Sequence, residues 1–250
     1  TAASLITGCS LGIPPPPTPP PTTAANGWDT LASGLERRMY APGGDNAFAQ
    51  LFALRIDPAL YTFRAHYRPG DPLTLPSWRD TLPGVVALIN ANFFDTARNV
   101  LGLLVADGVT YGQSFVDRGG MVQVVGGYPR VRSLISEPYY GEALEQAVQG
   151  FPVLVLNGQQ AYTTAQGDRV ARRTVVGQDA NGRIVILVTT SLLGMRLVDL
   201  SAYLPTTDLN LITAVNLDGG GSTMLYVSTP SPYLLYSFDP VPAVLAVYPR

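Results

Sequence analysis

Ten short apolar runs, each closed by turn residues, set the main limit on how this chain can fold. They cover 48–56, 60–66, 85–90, 101–106, 121–125, 153–156, 173–178, 183–189, 214–217 and 224–227. Apolar runs this short, bounded by turn residues, suit strands. Asp107-Gly108, Asn157-Gly158 and Asp179-Ala-Asn-Gly182 supply left-handed turn chemistry between neighbours, and the last reads as a hairpin. Val85-Val-Ala-Leu-Ile89 and Ile184-Val-Ile-Leu-Val188 are apolar at successive positions, as in strands buried on both faces. Helical patterns are few: 142–149, and 197–204 ended by Pro205. No internal repeat is visible. The expectation is one α+β domain over 28–250, built on a large mixed β-sheet with a few short helices.

Residues 1–27 read differently. Ile6-Thr7-Gly8-Cys9 resembles a bacterial lipobox, in which the cysteine is lipidated. Residues 14–21 hold seven prolines in eight positions, a pattern that adopts an extended polyproline II spacer of roughly 25 Å at about 3.1 Å per residue. A lipid on Cys9 followed by a stiff tether would hold the domain off a membrane, so the expected location is the cell envelope, after export. No other apolar run approaches the length of a membrane-spanning helix.

Composition excludes several chemistries. Net charge is −2 and all 16 basic residues are arginine, which argues against a nucleic-acid partner. A lone cysteine cannot form an internal disulfide or redox pair, and a lone histidine, His66, removes metal sites that need two imidazoles. His66 lies in an alternating strand pattern and is an unsupported candidate base. No EF-hand spacing is present, and neither a metal nor a cofactor is expected. Thirteen tyrosines against eight phenylalanines, with 25 glycines and 22 prolines, favour strands, turns and a polar, sugar-like ligand. Nothing implies a protein partner.

Ala214-Val-Asn216-Leu-Asp218-Gly219-Gly220-Gly221-Ser222-Thr223-Met224 concentrates the chemistry. A buried strand delivers an amide and a carboxylate, then three glycines and two hydroxyls. Successive bare amides can cradle an anionic oxygen. The run lacks the lysine and spacing of a P-loop. A hairpin turn is the plainer reading, but a hairpin needs neither three glycines nor the flanking polar groups.

This run resembles the most specific motif of the phosphodiester glycosidase family, typified by the uncovering enzyme, N-acetylglucosamine-1-phosphodiester α-N-acetylglucosaminidase. Three further segments match in order: Asn90-Ala-Asn-Phe93-Phe94, Gly150-Phe-Pro152-Val-Leu-Val-Leu-Asn157-Gly158, and Arg173-Thr174-Val-Val-Gly177. The helical pattern from Gly194 also fits, and the resemblance spans roughly 85–227. Gln149-Gly150-Phe151 departs from the glycine pair common in relatives, a difference that bears on pocket shape and substrate identity. The resemblance implies a glycosidase acting on sugar phosphodiesters in cell-envelope or exopolysaccharide glycans.

The residues fit such a reaction on their own chemistry. Phosphate is a good leaving group, so one carboxylate with strong anion recognition can suffice. Asp218 is the candidate carboxylate, as nucleophile, base or charge stabiliser; its other reading is an Asx-type turn residue. Arg173 offers a bidentate phosphate contact, with Arg172 pointing to the opposite face. Asn90 either orients the substrate or ties strand ends together. Asn216, Thr174, Gly219, Gly220, Gly221, Ser222 and Thr223 complete the expected binding set, and Asp95 is a possible second carboxylate. Two other readings compete with a hydrolase of glycosyl phosphodiesters: a non-catalytic exopolysaccharide-binding lipoprotein, and a phosphodiesterase that cuts P–O bonds.

Overall fold

Turn-closed strands account for most of the regular structure. The computed structural model describes residues 27–250; the lipobox-like run at Cys9 and the proline segment lie outside the described residues. Strands make up 42% of the described residues and helices 9%. The first sheet has eight strands, in the order β1 (Asp29–Ala32), β2 (Leu35–Tyr40), β3 (Leu51–Ile56), β14 (Ile184–Thr189), β13 (Thr174–Asp179), β15 (Leu211–Asn216), β11 (Val153–Leu156) and β12 (Gln159–Gln160). The second has β7 (Val109–Tyr111), β6 (Leu104–Ala106), β10 (Gln146–Gly150), β8 (Gly120–Val125) and β9 (Tyr128–Ser133). The third has β17 (Tyr233–Leu235), β16 (Leu225–Val227), β5 (Ala87–Asn90), β18 (Ala243–Pro249) and β4 (Tyr61–Tyr67). Two short helices, α1 (Leu75–Thr81) and α2 (Leu197–Tyr203), complete the regular structure with brief 3₁₀ turns.

The expected single mixed sheet is therefore corrected to three sheets, whose pairings between named strands are antiparallel throughout the described residues. The continuous apolar strands do have both faces buried, but a second sheet rather than a helical layer covers one of them. In β14, Ile184, Ile186 and Val188 join a core with Phe52 of β3, Phe63 of β4, Ile89 of β5 and Val122 of β8, so all three sheets contribute. Its alternate residues, Val185 and Leu187, face a second core with Trp28, Leu200 of α2 and Leu204. Each fully buried aliphatic side chain contributes about 1.5–3 kcal/mol, so this two-sided burial holds the layers together.

Turn chemistry behaves as the sequence implies. The 179–182 turn joins β13 to β14 with Thr174 opposite Val188, and Asn157 and Gly158 take φ of 51° and 74° between β11 and β12. One local expectation fails. The helical pattern at 142–149 is instead β10, where Val148 and Ala147 enter different cores. Its glutamines hold loops: Gln146 Oε1 accepts the Ala65 N–H at 3.0 Å, and Gln149 Oε1 accepts those of Leu103 and Phe115 at 2.7 and 3.1 Å. The helix expected at 197–204 is α2, which ends just before Pro205; the proline sits in the first turn of the 3₁₀ turn that follows, where its missing N–H costs nothing.

Candidate active site

The glycine run is a crossing between sheets. It leaves β15 in the first sheet and enters β16 in the third, through a 3₁₀ turn at Gly220–Ser222. Three chain segments meet it through four backbone bonds. Asn216 N–H donates to Pro152 at 3.0 Å, Leu217 to Thr174 at 2.8 Å, Asp218 to Ala91 at 3.0 Å and Gly220 to Arg172 at 2.8 Å. Bare glycine is needed for that crowding. A Cβ on Gly219 would lie 2.6 Å from the Arg172 carbonyl oxygen, and one on Gly221 would strike the Asp239 carboxylate.

The run does not form the open cradle of amides that its composition suggests. Gly219 N–H is taken by the Asp218 carboxylate at 2.8 Å, Gly220 by Arg172, and Ser222 by the Gly219 carbonyl at 3.1 Å. These bonds set the shape of the turn and occupy the amides of Gly219, Gly220 and Ser222.

Asp218 is the chemically distinctive one. Burial raises its carboxyl from 3.8 to about 6; bonds from the Ser222 hydroxyl and the Gly219 amide oppose the rise, and the neighbouring Asp239 charge adds to it. Asp239 is the second carboxylate that sequence reasoning missed. It lies on an exposed loop pinned to the turn, with the Phe238 and Asp239 amides both donating to the Gly221 carbonyl at 2.7 and 3.1 Å. Asp95, the expected second carboxylate, instead closes its own exposed turn. It accepts the Asn99 N–H at 2.8 Å and the Asn99 side-chain amide at 3.2 Å, and these bonds hold its carboxyl below the usual range.

The two adjacent arginines are placed opposite to expectation. Arg173 points away from the run: it donates to Met195 at 2.9 Å and to Asp168 at 3.1 Å. Asp168 is almost completely buried and also receives the Val198 amide at the start of α2, so the pair is structural. Arg172 faces the run. Buried to 4% exposure, it donates to the carbonyls of Thr223 at 2.6 Å and Tyr236 at 2.9 Å, and it sits 5.0 Å from the centre of the Phe238 ring. Among the described residues it forms no ion pair, and its Nε has no hydrogen-bond partner. Burial pushes this guanidinium below its ordinary value. A desolvated cation without a counter-charge is costly, and an anion beside it would relieve that cost.

The remaining expected residues divide in two. Asn90 is fully engaged, donating to the Asp218 carbonyl at 2.6 Å and accepting from Thr174 Oγ1 at 2.8 Å and the Met224 amide at 3.2 Å. It and Thr174 therefore tie strand ends together. Asn216 donates to the Phe151 carbonyl at 2.9 Å, which brings it beside an aromatic group where the Phe93 and Phe115 rings lie 4.6 and 5.2 Å from Phe151. Seven buried side-chain polar atoms among the described residues lack a partner, and four belong to Asn92, Arg172, Asn216 and Thr223. Such atoms are rare in folded proteins, and those of Arg172, Asn216 and Thr223 flank the glycine run.

A cleft of about 380 Å³ opens at this turn, lined by Arg172, Gly220, Gly221 and Phe238 among others. Depressions of about 520 and 410 Å³ lie at Asp107–Glu145 and around Arg130 and Asp179, and neither touches the glycine run. His66 bonds to the Tyr248 hydroxyl at 3.0 Å, and burial lowers its pKa. No cluster of three or more metal-ligating side chains occurs among the described residues.

A model of the phosphodiester glycosidase family matches residues 83–248. The structure is similar to the zebrafish N-acetylglucosamine-1-phosphodiester α-N-acetylglucosaminidase catalytic domain auto-inhibited by its pro-peptide. The TM-score is 0.69 and the identity 18%, over 92% of this chain and 87% of that one. It is also similar to a hypothetical protein from Synechocystis, with a TM-score of 0.62 and 14% identity over 93% of this chain and 64% of that one. No curated protein matches the sequence. The family match takes in the Asn90 strand end, both arginines, the glycine run and Asp239, and on that match the chain belongs to the phosphodiester glycosidase family.

Proposed function

We propose that this protein hydrolyses a sugar-1-phosphodiester in a glycan, cleaving the bond between the anomeric carbon and the phosphate oxygen. Water adds to the sugar, and a phosphomonoester leaves. The observation that carries the reading is that a buried carboxylate, Asp218, and a buried unpaired cation, Arg172, meet the same glycine turn. Arg172 steadies the negative charge of the departing phosphate. Asp218, in its ionised form, balances the positive charge that grows at the anomeric carbon or activates the attacking group. Ser222 orients that carboxylate, and Asp239 raises its basicity.

Hydrolysis of a glycosyl phosphodiester in ¹⁸O-water tests this: label is expected in the released sugar, with the rate of Asp218→Asn down at least a thousandfold. Label in the phosphate would mean P–O cleavage. Glycan affinity without turnover, unchanged in Asp218→Asn, would mean an exopolysaccharide-binding module. The same proposal extends to a lipid-anchored envelope location through Cys9, for which palmitate incorporation should disappear in Cys9→Ala.

A further inference from the structure

The cleft beside the glycine run is lined by two unlike sets of groups. One presents Arg172 and the bare backbone of Gly220 and Gly221; the other is formed by Val170, Leu192, Leu193 and Phe238. These four apolar side chains are 57%, 78%, 62% and 67% exposed. Exposed apolar residues scattered singly need no explanation, but four from three separate chain segments, gathered on one opening, do. The gathering is held by hydrogen bonds. Ala171 and Met195 exchange backbone bonds of 3.3 and 2.9 Å, so the turn carrying Leu192 and Leu193 is fixed against the segment carrying Val170. Phe238 is fixed in turn through its amide on Gly221, and its ring meets the Arg172 guanidinium where the charged and apolar sets join.

We infer that the apolar set receives a hydrocarbon chain esterified to the phosphate, so that the substrate class is a glycosyl phosphodiester with an alkyl or isoprenyl aglycone. This rests on the hydrolase reading for the phosphodiester, while the apolar set stands on the residues just named. A second sugar on the phosphate would face four side chains with no hydrogen-bonding groups and would lose solvation without replacement. A chain would gain roughly fourfold in affinity per methylene buried. Continuity with the charged set selects this occupant, because the phosphate of such a molecule would lie beside Arg172 as its chain ran along Leu192, Leu193 and Phe238.

Calorimetric titration with methyl phosphate and with octyl phosphate below its micellar concentration tests the cleft without requiring turnover. Octyl phosphate is expected to bind roughly a hundredfold tighter, and Leu192→Ser/Leu193→Ser should bring the two ligands within about threefold of each other. Both side chains are exposed, so the double variant should keep its far-ultraviolet circular dichroism. Equal affinities in the wild type, or a chain-length gain that survives the double variant, would overturn the inference. So would a sedimentation mass that halves in the double variant while octyl phosphate shows no preference, since the patch would then join two copies. The matched methyl and octyl esters of a sugar-1-phosphate separate the two proposals. Octyl preference in binding with neither ester hydrolysed sinks the hydrolase reading alone; hydrolysis of both at equal kcat/KM, with equal binding, sinks only the apolar aglycone.

Discussion

A carboxyl group lifted from 3.8 to about 6 destabilises the protein that carries it. Folded Asp218 holds its proton more tightly than the unfolded chain does, so its contribution is most favourable below pH 3.8 and is lost as pH rises through about 6. The loss amounts to about 3 kcal/mol at neutral pH, at about 1.4 kcal/mol per pKa unit. Asp218→Asn keeps an acceptor for the Gly219 amide and cannot ionise. Urea unfolding at pH 7.5 should find the variant about 1–3 kcal/mol more stable than wild type, with the gain gone at pH 4; equal stability at both pH values would show that burial does not strain this carboxylate. Sequence pointed to the aspartate, because a lone acid before three glycines is hard to explain as a turn. It chose Arg173 over Arg172, and the structure turns Arg172 to the glycine run instead. Neighbours on an extended backbone point to opposite faces, and which face meets the glycine run is set by strand register.

Elements built on short, turn-closed apolar runs were legible, and all ten runs overlap observed strands. Elements stabilised by their surroundings were not. β2, Leu-Glu-Arg-Arg-Met-Tyr, and β9, Tyr-Pro-Arg-Val-Arg-Ser, look polar because they lie towards sheet edges, while β18 follows Pro240 and Pro242, which read as loop. The glycine crossing shows the same division: its residues were legible, its path between two sheets was not. That path makes its glycines unequal. At Gly219 a new Cβ meets a backbone carbonyl that cannot turn aside; at Gly221 it meets the end of the Asp239 side chain, which can. Gly219→Ala should therefore cost about 1–3 kcal/mol of stability, and Gly221→Ala less. Gly221→Ala should instead act on chemistry by displacing the Asp239 charge that raises Asp218. The ascending limb of the pH–rate profile, set near 6 by Asp218, should move to lower pH in Gly221→Ala and in Asp239→Asn alike. A limb that stays in place in both variants would remove Asp239 from the site.

No single sheet of the molecule contains its site. Asp218 leaves the first sheet, β5 of the third sheet meets it at Ala91, and the start of β11, reached from β10 of the second sheet, flanks Asn216. Asn90 joins this assembly, since its one amide holds Thr174 of the first sheet, Met224 next to β16 of the third, and the Asp218 carbonyl between them. A positioning residue of this kind fails differently from one that touches substrate. Asn90→Ala leaves buried groups on three segments without partners, at about 1–3 kcal/mol for each group left unsatisfied, so stability and activity should fall together. Hydrogen exchange should quicken at the Asp218 and Met224 amides at the same time. Thr174 supplies the control that a substrate-contact role would not pass. Thr174→Ser keeps the hydroxyl that donates to Asn90 and should stay near wild type in kcat and exchange, whereas Thr174→Val should reproduce a milder form of Asn90→Ala. If Asn90→Ala instead raised KM while stability and exchange at both amides held, Asn90 would be a substrate ligand, and the convergence of sheets would have to be maintained by the core alone.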